Sequence, residues 1–251
     1  MKTTIEINHA FKRLRPFFDR IASSGVPAGA QLIYRARNSV YTTTVDGLTL
    51  NIKAFRKPSF PNNYIYTHIR QSKARRSYYN AQRLINLGID TPSPVGYIEN
   101  VENGQLTTSY YISLQLQGHG DMRRWLENPV AREALPALAQ FLYTLHQKGV
   151  WHKDFSPGNV LFKRDKTADS GFRFFLIDLN RMEFDMYARG RQLRNLASIY
   201  IESEEETARF ARMYAQAAGL DAPQTEAEAL RLYHKYLDHK RRLKRLKNMF
   251  K

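Results

Sequence analysis

The segment "GVWHKDFSPGNVLF" at residues 149–162 places a histidine, an acid and an amide in one short stretch. His152 and Asp154 come before the Pro157-Gly158 pair, and Asn159 follows it. Proline and glycine favour a turn, and the apolar residues after Asn159 favour a strand. Two interpretations are open at this point. Either these side chains only satisfy backbone groups in a helix-to-strand turn, or they carry chemistry.

The spacing His-x-Asp-x-x-x-x-Asn is that of a kinase catalytic loop, in which the aspartate handles the acceptor hydroxyl and the asparagine holds a magnesium ion. Phosphoryl transfer also needs a lysine for the nucleotide phosphates and a second metal-binding group. Lys53 lies in the strand pattern "LTLNIKAF", and Asp178 closes the apolar run "FFLIDLN". Taken singly, Lys53 is typical of a solvated strand end and Asp178 of a turn. The order of all four residues favours a phosphotransferase.

The order of β-rich and helical segments predicts an α+β class with a bilobal protein-kinase-like fold. Residues 1–116 form the predicted N-lobe, with a leading helix, antiparallel strands and a helix like the kinase αC helix. Its hairpin turns are expected at Asp46-Gly47 and Asn103-Gly104. Residues 117–251 form the predicted helical C-lobe, which carries the catalytic loop and a basic C-terminal helix. The predicted helices span 9–25, 72–88 and 130–149.

The charge of the chain is its most unusual global property. Lys and Arg number 39 against 23 acids, which gives a net charge of +16. This balance indicates a polyanionic partner, which is a nucleic acid, an anionic membrane surface or a phosphorylated substrate. The chain has no cysteine, no secretion-signal pattern at its start and no long apolar run. We therefore expect a soluble cytoplasmic protein.

Five segments give the chain a resemblance to the lipopolysaccharide kinase family, the Kdo and heptose kinases of Gram-negative bacteria. This family is similar to eukaryotic-type protein kinases and aminoglycoside phosphotransferases. The resemblance spans roughly residues 30 to 245. The segments are "IYRARNSVY" (33–41), "LNIKAF" (50–55), "SKARRSYYNAQRL" running into "LGIDTPSPVGY" (72–97), "HKDFSPGNVLF" (152–162) and "FLIDLNRM" (175–182).

The resemblance implies a role for each candidate residue. Lys53 would contact the α- and β-phosphates of ATP, and Asp154 would orient the acceptor hydroxyl or accept its proton. Asn159 and Asp178 would bind Mg²⁺, and His152 would brace the catalytic loop. The implied acceptor is a sugar hydroxyl of the lipopolysaccharide inner core, with Kdo on lipid A expected, at the cytoplasmic face of the inner membrane.

The chain also departs from the protein-kinase pattern. It has no G-x-G-x-x-G motif, so Arg37 and Asn38 in "RARNSV" are candidates for covering the phosphates, with a charge-protected strand edge as the equal alternative. No acid occurs between Asp46 and Asp90, so the predicted helix lacks the glutamate that pairs with the kinase lysine. Either another group holds Lys53, or its position depends on bound nucleotide. The D-F-G position reads Asp-Leu-Asn, which argues against a mobile regulatory switch.

Several alternatives follow from the charge and the departures. The chain could be a kinase of the same fold acting on a protein or another small molecule, or a catalytically weak pseudokinase or scaffold. The basic C-terminal segment 234–251 could bind an anionic membrane or be a solvated helix. A general polyanion binder is the third alternative, although no nucleic-acid-binding motif accompanies the charge, and specific nucleic-acid binding is not expected. We expect a monomer.

Overall fold

The computed structural model describes residues 2–57, 71–123, 128–199 and 203–249. It divides the chain into two compact units. Unit 1 contains Met1–Gln117 and Asp178–Asn180, and unit 2 contains Gly118–Ile177 and Arg181–Lys251. Unit 1 therefore takes three residues from a position late in the sequence.

Unit 1 is built on a six-stranded antiparallel sheet with the strand order β1-β5-β6-β4-β3-β2. Asp46 and Asn103 have positive φ values of 49° each, and a glycine follows each of them, as tight hairpin turns require. These turns lie at the two predicted positions. The strands are β1 Lys2–Ile7, β2 Gln31–Arg35, β3 Ser39–Val45, β4 Leu48–Phe55, β5 Pro94–Glu102 and β6 Gln105–Leu114.

Strand β1 was not predicted from the sequence. It pairs antiparallel with β5, with Lys2 opposite Val101 and Ile7 opposite Gly96. The predicted leading helix is also shorter than expected, because a 3-10 helix spans His9–Leu14 before helix α1 at Arg15–Ser24. Gly25 ends α1 with a φ of 82°, at the predicted stop.

The core of unit 1 lies between the sheet and its helices. Helix α1 buries Phe17, Phe18 and Ile21, and it contacts β1 and β5. Helix α2 at Lys73–Asn86 contacts β4, β5 and β6. The buried cluster contains Leu14, Phe17, Phe18, Ile21, Leu50, Ile52, Val95, Ile98, Tyr110 and Ile112.

Unit 2 combines helices with short strands. Strands β10, β9 and β7 form one small sheet, and β11 pairs with β8. Its strands are β7 Gly120–Asp121, β8 Trp151–His152, β9 Val160–Arg164, β10 Phe172–Leu176 and β11 Met182–Glu183. Its helices are α3 Pro129–Glu133, α4 Leu135–Gln147, α5 Arg189–Gln192, α6 Arg194–Ile199, α7 Glu204–Ala218 and α8 Ala222–Met249.

The helix predicted over 130–149 is divided into α3 and α4 at Ala134. Pro136 lies at the start of α4, where a residue without a backbone N–H is tolerated because the first turn has no partner for it. The proline therefore starts a second helix and does not interrupt one. Helix α4 leads directly into the segment that contains His152, Asp154 and Asn159.

No helix within the described ranges is both long enough and apolar enough to cross a membrane.

Candidate active site

Lys53 lies on β4, a central strand between β3 and β6. Its neighbours across the sheet are Val40 on β3 and Tyr111 on β6. Ile52 before it is fully buried, so the alternation of the strand turns Lys53 to the other face. The side chain of Lys53 is only 16% exposed, and its Nζ donates to Oδ1 of Asp178 at 2.6 Å. The strand therefore holds a cation in a largely enclosed position with an acid beside it.

Asp178 occupies an uncommon backbone conformation. Its φ is 59°, a left-handed value that aspartate tolerates better than most residues because its short polar side chain binds locally. Its Oδ1 accepts from Lys53 and also from Nδ2 of Asn180, at 2.5 Å. Two donors on one carboxylate oxygen fix its orientation.

Helix α2 holds the Asp-Leu-Asn segment through the backbone. Nδ2 of Asn80 donates to the carbonyl oxygen of Leu179 at 2.7 Å. Leu179 and Asn180 are 2% and 7% exposed. The segment is thus packed into unit 1. The sequence did not identify the partner of Lys53, and the structure shows that this partner is Asp178.

His152 braces the loop that carries Asp154 in unit 2. It is 1% exposed, its Nδ1 accepts from the backbone N–H of Asp154 at 3.1 Å, and its Nε2 lies 3.0 Å from the carbonyl oxygen of Ile177. A carbonyl only accepts, so Nε2 carries the proton and the imidazole is neutral. These contacts are those of a structural histidine.

Asn159 closes the loop behind Asp154. Its Nδ2 donates to the backbone carbonyl of Asp154 at 2.8 Å, and its own carbonyl accepts from the N–H of Ile177 at 3.0 Å. The amide nitrogen is therefore turned inward, and the amide oxygen is the atom of this side chain that could hold a metal. The carboxylate of Asp154 makes no hydrogen bond within the part of the chain that the structure describes.

A family model for the lipopolysaccharide kinase (Kdo/WaaP) family matches residues 36–236. The chain belongs to this family.

Solved structures support the same fold. One is WaaP in complex with acyl carrier protein, at 22% identity and a TM-score of 0.59, covering 92% of this chain and 99% of that one. Another is the Rio2 kinase in an ADP/Mg²⁺-phosphoaspartate complex from Chaetomium thermophilum, at 16% identity and a TM-score of 0.52, covering 89% of this chain and 75% of that one. Comparison with curated proteins gave no match. The predicted protein-kinase-like fold, kinase activity and family are confirmed.

In this lipopolysaccharide kinase, a buried polar network supports the catalytic loop from the helices of unit 2. Nδ2 of Asn195 on α6 donates to the carbonyl of His152 at 2.8 Å, and its Oδ1 lies 3.0 Å from Nε2 of His146 on α4. Nδ1 of His146 lies 2.8 Å from the hydroxyl of Tyr214 on α7. Burial lowers the pKa of His146 to about 4, because the charged imidazolium would lose its hydration. Ser198 adds a hydrogen bond to the carbonyl of Phe155 at 2.9 Å.

Sequence reasoning missed five of these supporting residues, which are Asn80, Asn180, His146, Asn195 and Ser198. Their shared signal is weak: each is a polar residue within an otherwise apolar or helical pattern. A polar residue at a core-facing position indicates a buried hydrogen bond, but it does not name the partner.

Arg37 and Asn38 lie in the turn between β2 and β3. Oδ1 of Asn38 accepts from the backbone N–H of Arg56 at 3.4 Å, and the carbonyl of Asn38 accepts from the N–H of Ala36 at 3.0 Å. Arg37 is exposed. The structure brings Lys53 and Asp178 together in unit 1, and Asp154 and Asn159 together in unit 2.

Proposed function

We propose that this family member transfers the γ-phosphoryl group of ATP, with Mg²⁺, to a sugar hydroxyl of the lipopolysaccharide inner core, with Kdo on lipid A as the acceptor. The observation that carries the proposal is the contact between Lys53 and Asp178, 2.6 Å apart and 125 positions apart in the sequence. A partly enclosed amine beside a carboxylate suits a site where phosphate charge and metal charge must both be balanced.

Asp154 acts on the acceptor in the proposed reaction. The acceptor oxygen forms a bond to the γ-phosphorus, the bond between that phosphorus and the β–γ bridging oxygen breaks, and ADP leaves. The hydroxyl proton passes to the carboxylate of Asp154. This carboxylate is partly exposed, while the backbone on both sides of it is fixed by His152 and Asn159. A positioned general base of this kind accelerates such reactions by about 10²- to 10⁴-fold.

Lys53, Asn159 and Asp178 serve the nucleotide and its metal. Lys53 neutralises the α- and β-phosphates, and Asn159 and Asp178 each offer an oxygen, the ligand atom that Mg²⁺ prefers. The described residues contain no group of three or more His, Cys, Asp or Glu side chains that could hold a metal ion. A small protein donor set suits Mg²⁺, which is commonly held by one or two side chains, water and substrate phosphates. When bound, the metal neutralises charge on the transferring phosphoryl group.

Arg37 and Asn38 take part in covering the phosphates under the same proposal. Asn38 is tied to the backbone of Arg56 just beyond β4, and Val40 pairs with Lys53 across the sheet. The turn is therefore anchored to the strand that carries the lysine. Its backbone N–H groups and the Arg37 guanidinium supply positive charge without a glycine-rich loop.

The acceptor sets the proposed location of the enzyme. Kdo on lipid A is a membrane-anchored glycolipid, so we infer a cytoplasmic protein that works peripherally at the inner face of the inner membrane. We further propose that it acts as a monomer without specific nucleic-acid binding.

Transfer from radiolabelled ATP to purified Kdo-lipid A in the presence of magnesium tests the proposal. We expect labelled glycolipid with the parent protein and a loss of about 10²-fold or more with Asp154→Asn, which keeps the shape of the side chain but cannot accept the proton. Asp19→Asn, at an exposed position on α1, serves as the matched control.

The alternatives give different results in the transfer assay, in assays with other acceptors and in a thermal melt with ATP. Label on the protein itself or on a small sugar, with none on the glycolipid, would overturn the acceptor and favour another kinase of this fold. A higher melting temperature of the protein with ATP, without transfer of label to any acceptor, would indicate a pseudokinase or scaffold.

A further inference from the structure

The C-terminal helix α8 changes character along its length. Its first part packs against α6 and α7 and buries Ala229, Leu232 and Tyr233. From His234 onward no described side chain is buried. The helix therefore continues for several turns beyond the residues that anchor it to unit 2.

The unburied part carries an exposed apolar stripe. Tyr236, Leu243 and Leu246 are 37%, 46% and 50% exposed. They are seven and three residues apart, so at 3.6 residues per turn they lie on one side of the helix. Exposed leucines at helical spacing indicate a surface that is covered in use.

Basic residues accompany this stripe and outnumber the acids beside it. Residues 239–249 contain six Lys and Arg residues and no acid. Arg241 pairs with Asp238 at 3.7 Å, whereas Lys240, Arg242 and Arg245 form no ion pair within the ranges that the structure describes. A solvated helix is usually stabilised by pairs of opposite charge, as Arg231 and Glu228 provide in the first part of α8. Like charges one turn apart destabilise the last part instead.

We propose that residues 235–246 of α8 form a docking surface for an anionic phospholipid membrane, called here the α8 surface. Anionic headgroups would neutralise the unpaired arginine and lysine side chains, and the leucines would enter the boundary between headgroups and acyl chains. A shallow apolar stripe between basic residues fits this interface better than it fits a protein groove, because its positive charge is spread over the flanks of the helix. The α8 surface would hold the enzyme at the membrane that contains the proposed glycolipid acceptor. The inference therefore rests on the proposed function.

Vesicle co-sedimentation without nucleotide or acceptor tests the α8 surface, so its failure is distinct from a failure of kinase activity. Vesicles of phosphatidylcholine alone are compared with vesicles containing phosphatidylglycerol. We expect binding only to the anionic vesicles, weakened about tenfold or more by Leu246→Glu. Ile85→Glu on α2 is the matched control, since Ile85 is 45% exposed and the change in charge is the same.

A second variant separates charge from the apolar stripe. Arg242→Gln with Arg245→Gln should weaken binding to anionic vesicles by about an order of magnitude. Both sites are exposed, so circular dichroism and melting temperature should match those of the parent protein. The proposal would be overturned by equal binding to neutral and anionic vesicles, or by an equal loss of binding with Ile85→Glu and Leu246→Glu. It would also be overturned if the protein bound duplex DNA in a parallel assay but did not bind vesicles.

Discussion

At the scale of single residues, Asn80 and Asn180 surround the pair formed by Lys53 and Asp178. In protein kinases the strand lysine pairs with a glutamate of the αC helix. Here α2 offers Asn80, which binds the backbone of Leu179 at 2.7 Å, and Asn180 binds the carboxylate of Asp178. Asp178 of the Asp-Leu-Asn segment therefore pairs with the lysine, in place of an acid on the helix.

Removing the lysine should abolish most phosphoryl transfer. We expect Lys53→Met to lower kcat/KM for ATP by about 10²- to 10³-fold, because the variant loses the ion pair with Asp178 and the phosphates would lose their counter-charge. Lys12→Met, at an exposed position of the 3-10 helix before α1, should leave the rate unchanged. Steady-state ATP turnover measures both. A Lys53→Met protein with near-parental turnover would remove the lysine from the site.

Asn180 should contribute a smaller effect through the carboxylate that it orients. Replacing it with alanine removes one hydrogen bond to Asp178, worth about 1 kcal/mol, so we expect roughly a two- to tenfold loss in kcat/KM. Asn51→Ala is a fitting control, because it removes the 2.7 Å hydrogen bond from β4 to Gln115, the residue after β6. Turnover and melting temperature are compared for both variants. An equal effect of the two on turnover would make Asn180 a purely structural residue.

At the scale of elements, the sheet shows why some strands could be predicted and β1 could not. Strands β3 to β6 are rich in β-branched and aromatic residues and contain recognisable hairpin turns. Strand β1 reads "KTTIEI"; four of its six residues are β-branched, but only two are apolar and no hairpin turn joins it to its partner strand. It forms because β5 offers a free edge beside it, from Gly96 to Val101. Pairing between residues 89 to 99 positions apart has no local signal in the sequence.

The contact between β1, α1 and β5 depends on Gly96. A Cβ atom there would lie 2.3 Å from the carbonyl oxygen of Glu6 and 2.7 Å from the ring of Phe18. We therefore expect Gly96→Ala to lower the free energy of unfolding by about 2 kcal/mol or more, since backbone and core must both shift. Gly29→Ala, where nothing lies within 4 Å of the added atom, should be close to neutral. Thermal melts compare the two, and equal stability would contradict the packing described here.

The catalytic segment was the most predictable element. The turn at Pro157-Gly158 and the strand after it follow from local chemistry, and the spacing of Asp154 and Asn159 follows from the motif. The hydrogen bonds that hold this segment could not be predicted. Asn195 reaches His152 across 43 positions, and only the packing of α4, α6 and α7 brings them together.

At the scale of the whole molecule, His146 couples the stability of unit 2 to pH. Its folded pKa of about 4 lies below the ordinary value of 6.5, so the unfolded chain binds the proton more readily. The associated stability is present above pH 6.5 and is lost as the pH falls toward 4, by up to roughly 3 kcal/mol. The fold therefore weakens on acidification.

His146→Gln tests this coupling, because the glutamine amide can still donate and accept hydrogen bonds but does not titrate. The variant should melt lower than the parent at neutral pH, and the difference between their melting temperatures should narrow as the pH falls from 6.5 to 4. His9→Gln, at an exposed position in unit 1, should melt in parallel with the parent throughout. If the difference in melting temperature between the parent and His146→Gln stays the same at every pH, the imidazole does not cause the loss of stability on acidification.

The sequence order of β-rich and helical segments was sufficient for the fold class, because periodicity and turn chemistry act locally. The charge of +16 was sufficient to suggest a polyanionic partner but not to choose one. The exposed part of α8 became visible only in three dimensions, since the same leucines in the sequence fit a packed helix equally well.

The chain leaves unit 2 after Ile177, gives three residues to unit 1 and returns at Arg181. Cutting it between Gln117 and Gly118 would consequently not yield two self-sufficient fragments. The amino-terminal piece would lack the counter-ion of its own lysine. A chimera that grafts the first 117 residues onto another kinase keeps the ion pair of Lys53 only if Asp178–Asn180 are transferred with them.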